Sequence, residues 1–251
     1  MDFIAILVAS LTSLITSFFS VSVGGTSLIT VPVLMFLGMS PKTAVATNMF
    51  ALIFLSLSGA AGLKKASKKE QFNLLAFLSM LTVGGSFLGA KIILTIDQDF
   101  LEKVIAAVIL AMACLLLFKK DVGIQVLKGR ICSAGLIMGS ILVFILGIYG
   151  GFFSGGYVTL LSFVLLLIFR LNFLQVAFAT KVLNVFSSTT AFVLFSTHGL
   201  VDFSFGIPMA CTMSFGAILG AKWAIKKGDL WIRNLFFLVV AGLALKLFFV
   251  G

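Results

Sequence analysis

The sequence predicts an all-α polytopic membrane protein built from two inverted-topology repeats of about five hydrophobic segments each. Three observations support this. The 251 residues are 61% hydrophobic and only 10% charged, with a mean hydropathy of +1.25, which leaves too little polar surface to cover a soluble globule. The apolar residues form ten runs in two sets of five. Short motifs recur, in order, between the two sets.

The two sets of apolar runs define the predicted domains. The first repeat, residues 1–118, has runs at 3–22, 26–37, 43–63, 71–95 and 101–118. A linker at 119–130 leads to the second repeat, residues 131–251, with runs at 131–152, 157–169, 175–195, 203–225 and 231–250. Because about 20 residues span a bilayer, these runs predict 8–10 transmembrane helices. The second run of each set has only 12 or 13 residues and follows a double glycine, which predicts a short or re-entrant broken helix.

The repeat can be aligned residue by residue. The offset stays between 131 and 133, and the matching motifs are Gly24-Gly25 with Gly155-Gly156, Ala46-Thr47-Asn48 with Ala179-Thr180-Lys181, and Gly85–Lys91 with Gly216–Lys222. A single glycine match is weak because glycine is frequent in membrane helices. Three matches in order at nearly one offset indicate duplication of an ancestral unit.

The charges of the loops predict that the two repeats are inverted. Lysine and arginine concentrate in 64–70, 119–130 and 226–233, whereas 96–100 and 196–202 contain neither. Cytoplasmic loops collect these residues, so the first three are predicted inside and the last two outside. Equivalent loops of the two repeats thus lie on opposite sides. We expect a multi-pass protein of the bacterial inner membrane with both termini on the non-cytoplasmic side.

The double glycines point to an anion site. Inverted repeats around interrupted helices are typical of secondary transporters, whose site lies near the membrane midplane. Each short helix begins after a break, at Gly24-Gly25 or Gly155-Gly156, and a helix N-terminus carries a partial charge of about +0.5. Gly150 and Gly151 extend the second glycine cluster, which leaves backbone N–H groups accessible to an anion.

Lys181 is the residue that most favours an anion as the ligand. It lies within an apolar run, where a charge costs at least about 2.5–3.5 kcal/mol. In a helix over 175–195, Asn184 and Ser188 share its face, with Thr180 and Ser187 at the flank. Asn48, next to Thr47, takes the aligned place in the first repeat.

Structural roles are the alternatives for these residues. Lys181 lies about 9 Å from the start of its helix, so its amine can also reach the cytoplasmic interface. The asparagines and threonines can serve as hydrogen bonds between helices. Close helix packing explains the glycines at positions 84, 85, 89, 216 and 220.

At this point the motifs resemble a known family. They are a double glycine before a helix with Val31-Pro32-Val33, the turn Gly38-Met39-Ser40-Pro41, Ala-x-x-Thr-Asn ending at Asn48, Gly-x-Tyr-Gly-Gly-Phe-Phe from Gly147, and Ala-Thr-Lys-x-x-Asn ending at Asn184. Together they are similar to the TauE/SafE sulfite-exporter family of permeases over nearly the whole chain. The resemblance implies a substrate such as sulfite, sulfoacetate or another small sulfur-containing anion.

The resemblance also implies which residues bind the substrate, and the chain departs from the family pattern in two places. Tyr157 follows the second glycine break where a small residue or proline is expected, and Ser22-Val23 replaces part of a longer glycine run. Combining the resemblance with the residue pattern, the predicted substrate-binding residues are Lys181, Asn184, Thr180, Asn48, Thr47, Gly24, Gly25, Gly150, Gly151, Gly155, Gly156, Ser154, Tyr157 and Ser188.

Other functions are less well supported. The one histidine, His198, lies in a loop, no His-Glu-x-x-His occurs, and the cysteines show no metal-ligand spacing, so we expect neither an enzyme nor a metal or other cofactor. All eight acidic residues lie in loops or at segment ends, which argues against a carboxylate proton relay. A passive anion channel, an uptake permease and a membrane accessory protein stay open. The expected partners are the anion, lipid and, as an open alternative, a second copy of the chain, but not nucleic acid.

Overall fold

The computed structural model describes the backbone of residues 3–64, 71–107 and 133–250, with all side chains there except those of 22–23, 71, 133–134 and 227–250. This part of the chain forms helices and no strand. The helices are α1 Phe3–Val23, α2 Ser27–Phe36, α3 Pro41–Leu63, α4 Gln71–Thr95, α5 described over 98–107, α6 Ser133–Phe152, α7 Tyr157–Leu167, α8 Phe173–Thr197 and α9 Phe203–Val250. The predicted all-α polytopic class is confirmed.

Six of these helices are long and apolar enough to cross a membrane, namely α1, α3, α4, α6, α8 and the Phe203–Lys226 part of α9. The short helices α2 and α7 have 10 and 11 residues. At 1.5 Å per residue they extend about 15–17 Å, roughly half of a bilayer core of about 30 Å. Each follows a double glycine, as the sequence predicts.

The C-terminal part of the chain differs from the expectation. We expected a loop at 226–233, but α9 runs as one helix from Phe203 to Val250. The physical reason is that charged residues do not interrupt backbone hydrogen bonds, and 226–233 contains no proline and a single glycine. Most of the predicted run 101–118 and the whole linker 119–130 lie outside the described residues.

Side-chain caps define where the two central helices begin. The Ser40 hydroxyl accepts a hydrogen bond from the Thr43 amide at 3.3 Å, and Pro41 is the first residue of α3. At α8, the Asn172 side chain accepts from the Gln175 amide at 2.8 Å, while Gln175 accepts from the Asn172 amide at 3.1 Å. These caps set the register of the helices that carry Asn48 and Lys181.

The two halves of the chain interlock. Helix α1 packs along α9 and α4 packs along α6, so in both contacts the first half meets the second. Between these pairs, α3 and α8 contact each other, α3 contacts α9, and α8 contacts α4. Under the repeat alignment, α1 corresponds to α6 and α4 to α9, so the two outer pairs are equivalent contacts.

Glycines allow these equivalent contacts to be close. A methyl group on Gly89 of α4 would lie 2.7 Å from the Phe152 amide nitrogen of α6 and would overlap the Ile148 carbonyl oxygen. The aligned Gly220 of α9 would bring a methyl group within 2.7 Å of Val21 and onto the Phe18 carbonyl of α1. Backbone therefore packs on backbone at both positions, as is typical of small residues between membrane helices.

The interior holds several polar side chains among its buried apolar core, and further apolar side chains cover the outer helix faces. Among the described residues, Asn48, Thr47, Lys181 and Asn184 are all buried, whereas large apolar side chains such as Phe3 are exposed on the outer helix faces. Lipid is as apolar as these side chains, so their exposure costs little in a membrane. Polar groups are placed in the protein interior because lipid tails offer them no hydrogen-bond partners.

Candidate anion-binding site

The two glycine breaks meet at the centre of the described chain. Gly24, Gly25 and Gly156 have positive φ angles of 86°, 90° and 81°, which glycine adopts readily. A methyl group on Gly24 would lie 2.7 Å from Val158 of α7. One residue into α2, the Ser27 hydroxyl lies 2.5 Å from the Ser154 hydroxyl of the second break. The N-termini of α2 and α7 therefore converge.

The Lys181 amine lies at this meeting point. The residue is only 1% exposed, and its Nζ donates to the Ser20 carbonyl oxygen at 3.1 Å. The same carbonyl accepts from the Gly24 amide at 2.7 Å, in the last turn of α1. A cation at the C-terminal turn of a helix is stabilised by the helix dipole. The amine is thus buried inside the protein.

The face of α8 that carries Lys181 has polar atoms without partners. The Asn184 amide nitrogen donates to the Ser56 hydroxyl at 2.7 Å, but the Asn184 Oδ1 atom has no hydrogen-bond partner among the described residues. The buried Ser188 hydroxyl also lacks one there. Buried polar atoms without partners are rare in proteins, and a ligand or ordered water is the usual explanation.

Lys181 and Asn184 line a small cavity. It has about 10 Å³ of room, enough for a single water molecule. The lining residues are Gly24, Gly25, Thr26, Ser27, Leu52, Leu55, Ser154, Val158, Lys181 and Asn184. None of them is acidic. Five of the predicted substrate-binding residues, Gly24, Gly25, Ser154, Lys181 and Asn184, thus lie around one space.

Several other predicted residues lie behind this lining. Asn48 is buried, and its Nδ2 donates to the Ser27 hydroxyl at 2.8 Å, so it reaches the cavity through a neighbour. The Thr180 hydroxyl donates to the Ala177 carbonyl of its own helix at 3.1 Å. Thr47 accepts a hydrogen bond from the Asp202 amide at 3.0 Å, which connects α3 to the α8–α9 loop.

The glycine cluster before α7 has a packing role in this structure. A methyl group on Gly150 would lie 2.8 Å from the buried Tyr157 ring, and one on Gly151 would overlap the backbone of Ser86. The Tyr149 hydroxyl donates to the Gly155 carbonyl and so satisfies one acceptor of the break. Tyr157, the departure from the family pattern, fills the space beside Gly150, and Gly156 is the left-handed residue before α7.

The sequence reasoning missed four residues at the site. Thr26 and Ser27 line the cavity directly, Thr30 supports Asn48, and Ser20 supplies the carbonyl that binds Lys181. Hydroxyl residues immediately after a double glycine are a signal that could have identified Thr26 and Ser27. The Ser20 carbonyl has no such signal, because every residue has one.

A metal centre is not indicated by the described residues. They contain no group of three histidine, cysteine, aspartate or glutamate side chains placed to hold a metal ion. The described acidic residues Asp97, Asp99 and Glu102 are exposed, and Asp202 lies in the α8–α9 loop. The site therefore presents one amine, hydroxyl groups, an amide and two helix N-termini.

Comparison with known proteins identifies the family. The family model described as sulfite exporter TauE/SafE matches residues 9–247. This chain belongs to the TauE/SafE family. A "probable membrane transporter protein" of Haemophilus influenzae is 31% identical over 221 residues, covering 87% of this chain and 85% of that protein. The "probable membrane transporter protein YfcA" of Escherichia coli K12 is 28% identical over 242 residues, covering 94% of this chain and 87% of that protein. No solved structure matches this chain.

Membership confirms the coarse prediction of function. The protein is a multi-pass membrane transporter of the TauE/SafE family, in agreement with its six apolar helices. The names of its relatives specify transport but no substrate and no direction.

Proposed function

We propose that this TauE/SafE protein is a permease that exports a small sulfur-containing anion, such as sulfite, sulfoacetate or another organosulfonate, across the cytoplasmic membrane by alternating access. The observation that carries the proposal is the buried Lys181 amine at the convergence of α2 and α7. A charge at this depth costs about 2.5–3.5 kcal/mol or more, and a bound anion would offset that cost.

The chemistry of the lining favours an oxyanion. A sulfite or sulfonate group has three acceptor oxygens, and Lys181 and a serine hydroxyl of the lining offer donors beside the N-termini of α2 and α7. The absence of an acidic residue from this lining removes the repulsion that an anion would meet there. A cationic substrate would face Lys181 and two positive helix ends.

The small volume of the site favours a carrier over an open pore. The room between these lining residues is about 10 Å³, less than a sulfonate occupies, so we infer that the helices around the site move apart when the anion binds. We infer that the two halves are inverted in the membrane and alternate in opening to its two sides, as in other transporters with interrupted helices.

The membrane potential favours export. A cell interior that is negative drives an anion outward with about 2.3 kcal/mol per charge per 100 mV, without a coupling ion. The acidic residues described by the structure lie at exposed or loop positions, so none is placed in the interior to carry protons. Potential-driven export is the simplest mechanism consistent with this arrangement.

Binding to the purified protein tests the proposal. We predict that Lys181→Met lowers the affinity for sulfite or sulfoacetate by about 10–100-fold, because a hydrogen bond to a charged group is worth about 1.5–3 kcal/mol. Methionine keeps an apolar chain beside Gly59, where the Lys181 stem packs. Isothermal titration in detergent would measure the affinity.

The matched control is Lys222→Met on the exposed part of α9, which should bind as the wild type does. Equal affinities for Lys181→Met and the wild type would refute the role of Lys181. Liposome flux at a set voltage then separates the mechanisms: saturation and counter-flow support a carrier, and their absence supports a channel. Failure of the wild type to bind any of these anions would favour an accessory protein.

A further inference from the structure

A chain of buried hydrogen bonds runs from the first half of the protein to the cavity. The Thr30 hydroxyl donates to Asn48 Oδ1 at 2.6 Å, and Asn48 Nδ2 donates to the Ser27 hydroxyl at 2.8 Å. Ser27 lies 2.5 Å from the Ser154 hydroxyl. All four side chains are at most 7% exposed, so water does not compete with these bonds.

The amide of Asn48 orients the first part of this chain. An amide oxygen can only accept and an amide nitrogen can only donate, whereas a hydroxyl has one proton to donate and two lone pairs to accept. Asn48 donates to Ser27, and either serine could be the donor between Ser27 and Ser154. The arrangement that gives the Ser27 proton an acceptor within this chain has Ser27 as donor and Ser154 as acceptor, which leaves the Ser154 proton for another partner.

The Ser154 hydroxyl has no hydrogen-bond partner other than Ser27 among the described residues, and Ser154 lines the cavity together with Lys181. Asn48 and Thr30 are not part of the lining. We infer that the Ser154 hydroxyl donates a hydrogen bond to the bound anion, and that Ser27 and Asn48 are positioning residues that direct its proton toward the ligand. This inference rests on the proposed anion-transport function.

The inference explains why the two aligned positions of the repeat differ. Lys181 of the second half contributes a charge directly to the cavity, while Asn48 of the first half acts through two hydroxyls. Residues of both halves therefore contribute to binding of the anion. If the Asn48 amide were turned the other way, Ser154 would present an oxygen lone pair to an anion, which is unfavourable.

A double-mutant cycle in binding tests the inference. The variants are Ser154→Ala, Ser27→Ala and the double variant, titrated with sulfite and with sulfoacetate. We expect Ser154→Ala to lower the affinity about tenfold or more, and Ser27→Ala to lower it by a smaller factor. The double variant should bind within about twofold of Ser154→Ala, because in the inferred arrangement the Ser27 proton is donated to Ser154 and not to the anion. Direct donation from Ser27 to the anion would make the two losses multiply and would overturn the positioning role.

A merely structural role for Ser27 would instead make the two losses multiply. Ser154→Cys keeps the shape with a weaker donor and should lose less affinity than Ser154→Ala, which keeps the test valid if the alanine variant does not fold. The matched control is Ser162→Ala on α7, whose buried hydroxyl donates to its own helix at Val158 and does not line the cavity. It should bind as the wild type.

The outcomes separate this inference from the proposed function. If Lys181→Met abolishes binding while Ser154→Ala binds like the wild type, only the inference on Ser154 is overturned. If Ser154→Ala lowers the affinity, but the affinity losses of Ser154→Ala and Ser27→Ala multiply in the double variant, the positioning role of Ser27 is overturned. If the wild type binds neither sulfite nor sulfoacetate, the proposed function and this inference both fail.

Discussion

At the scale of single residues, glycine and lysine have different roles in this protein. Glycines between α4 and α6, and between α9 and α1, allow backbones to touch, whereas Lys181 brings one charge into an interior without acidic neighbours around its cavity. Both residue types are visible in the sequence. Their partners are not, since the Ile148 and Ser20 carbonyls are backbone groups that any residue could supply.

The glycines yield a prediction with an internal control. Gly89→Ala and Gly220→Ala place a methyl group against the facing backbone, so each should lower the melting temperature in detergent; overpacking costs about 1–3 kcal/mol. Gly84 lies five residues before Gly89 on α4, and a methyl group there would have the Phe144 ring as its nearest neighbour at 3.6 Å, an ordinary contact. Gly84→Ala should leave the melting temperature unchanged or raise it slightly. An equal loss of melting temperature in Gly84→Ala and Gly89→Ala would contradict close backbone packing as the reason for the effect at Gly89.

At the scale of secondary-structure elements, the two broken helices form the site. Breaks at Gly24-Gly25 and Gly155-Gly156 follow from the sequence, because paired glycines interrupt apolar runs. Their contact depends on the fold: Gly24 meets Val158, and Ser27 meets Ser154. The N-termini of α2 and α7 thereby lie next to each other, although the helices lie far apart in the chain.

Two neighbouring glycines separate backbone strain from contact between the breaks. Gly24→Ala and Gly25→Ala both force alanine into a left-handed conformation, at about 1–2 kcal/mol each. Only Gly24→Ala also pushes a methyl group to 2.7 Å from Val158, whereas at Gly25 the nearest atom is Leu28 Cδ1 at 3.9 Å.

We expect Gly24→Ala to lower both the melting temperature and the anion affinity clearly more than Gly25→Ala. Thermal shift and titration of the two purified variants would measure this. Similar losses of melting temperature and affinity in both variants would mean that the contact between the two breaks contributes to neither stability nor binding.

At the scale of the whole molecule, the halves cannot be independent domains. Helix α1 of the first half packs on α9 of the second, and α4 packs on α6, so each half covers apolar surface of the other. The repeat boundaries at 118 and 131 describe the duplication of the sequence. They do not divide the packed structure into separate units.

Inversion of the halves in the membrane stays a prediction from loop charge, and labelling can test it. In a cysteine-free background, single cysteines at Asp99 and Thr197 should react with an impermeant maleimide on intact cells or on spheroplasts. Cysteines at Ser67 and Lys227 should react only after the membrane is made permeable. Labelling of Ser67 and Thr197 from the same side would show that equivalent loops share a side and would overturn the inversion.

The sequence by itself determined the membrane class, most bounds of the described helices, the glycine breaks and the family, because hydropathy, helix-breaking residues and motifs are local properties of the chain. It did not determine the number of helices, because α9 is one helix where two were expected. It also pointed to Lys181, Asn184 and Ser154, which line the cavity in the structure.

Only the tertiary structure decided which of the predicted residues reach the cavity. Thr47 contacts the α8–α9 loop, Thr180 bonds to its own helix, and Asn48 acts through Ser27, although each lies at or beside the aligned position of Lys181. The physical reason is that hydrogen-bond partners are selected by packing between helices distant in sequence. Local sequence patterns do not indicate which helices pack against each other.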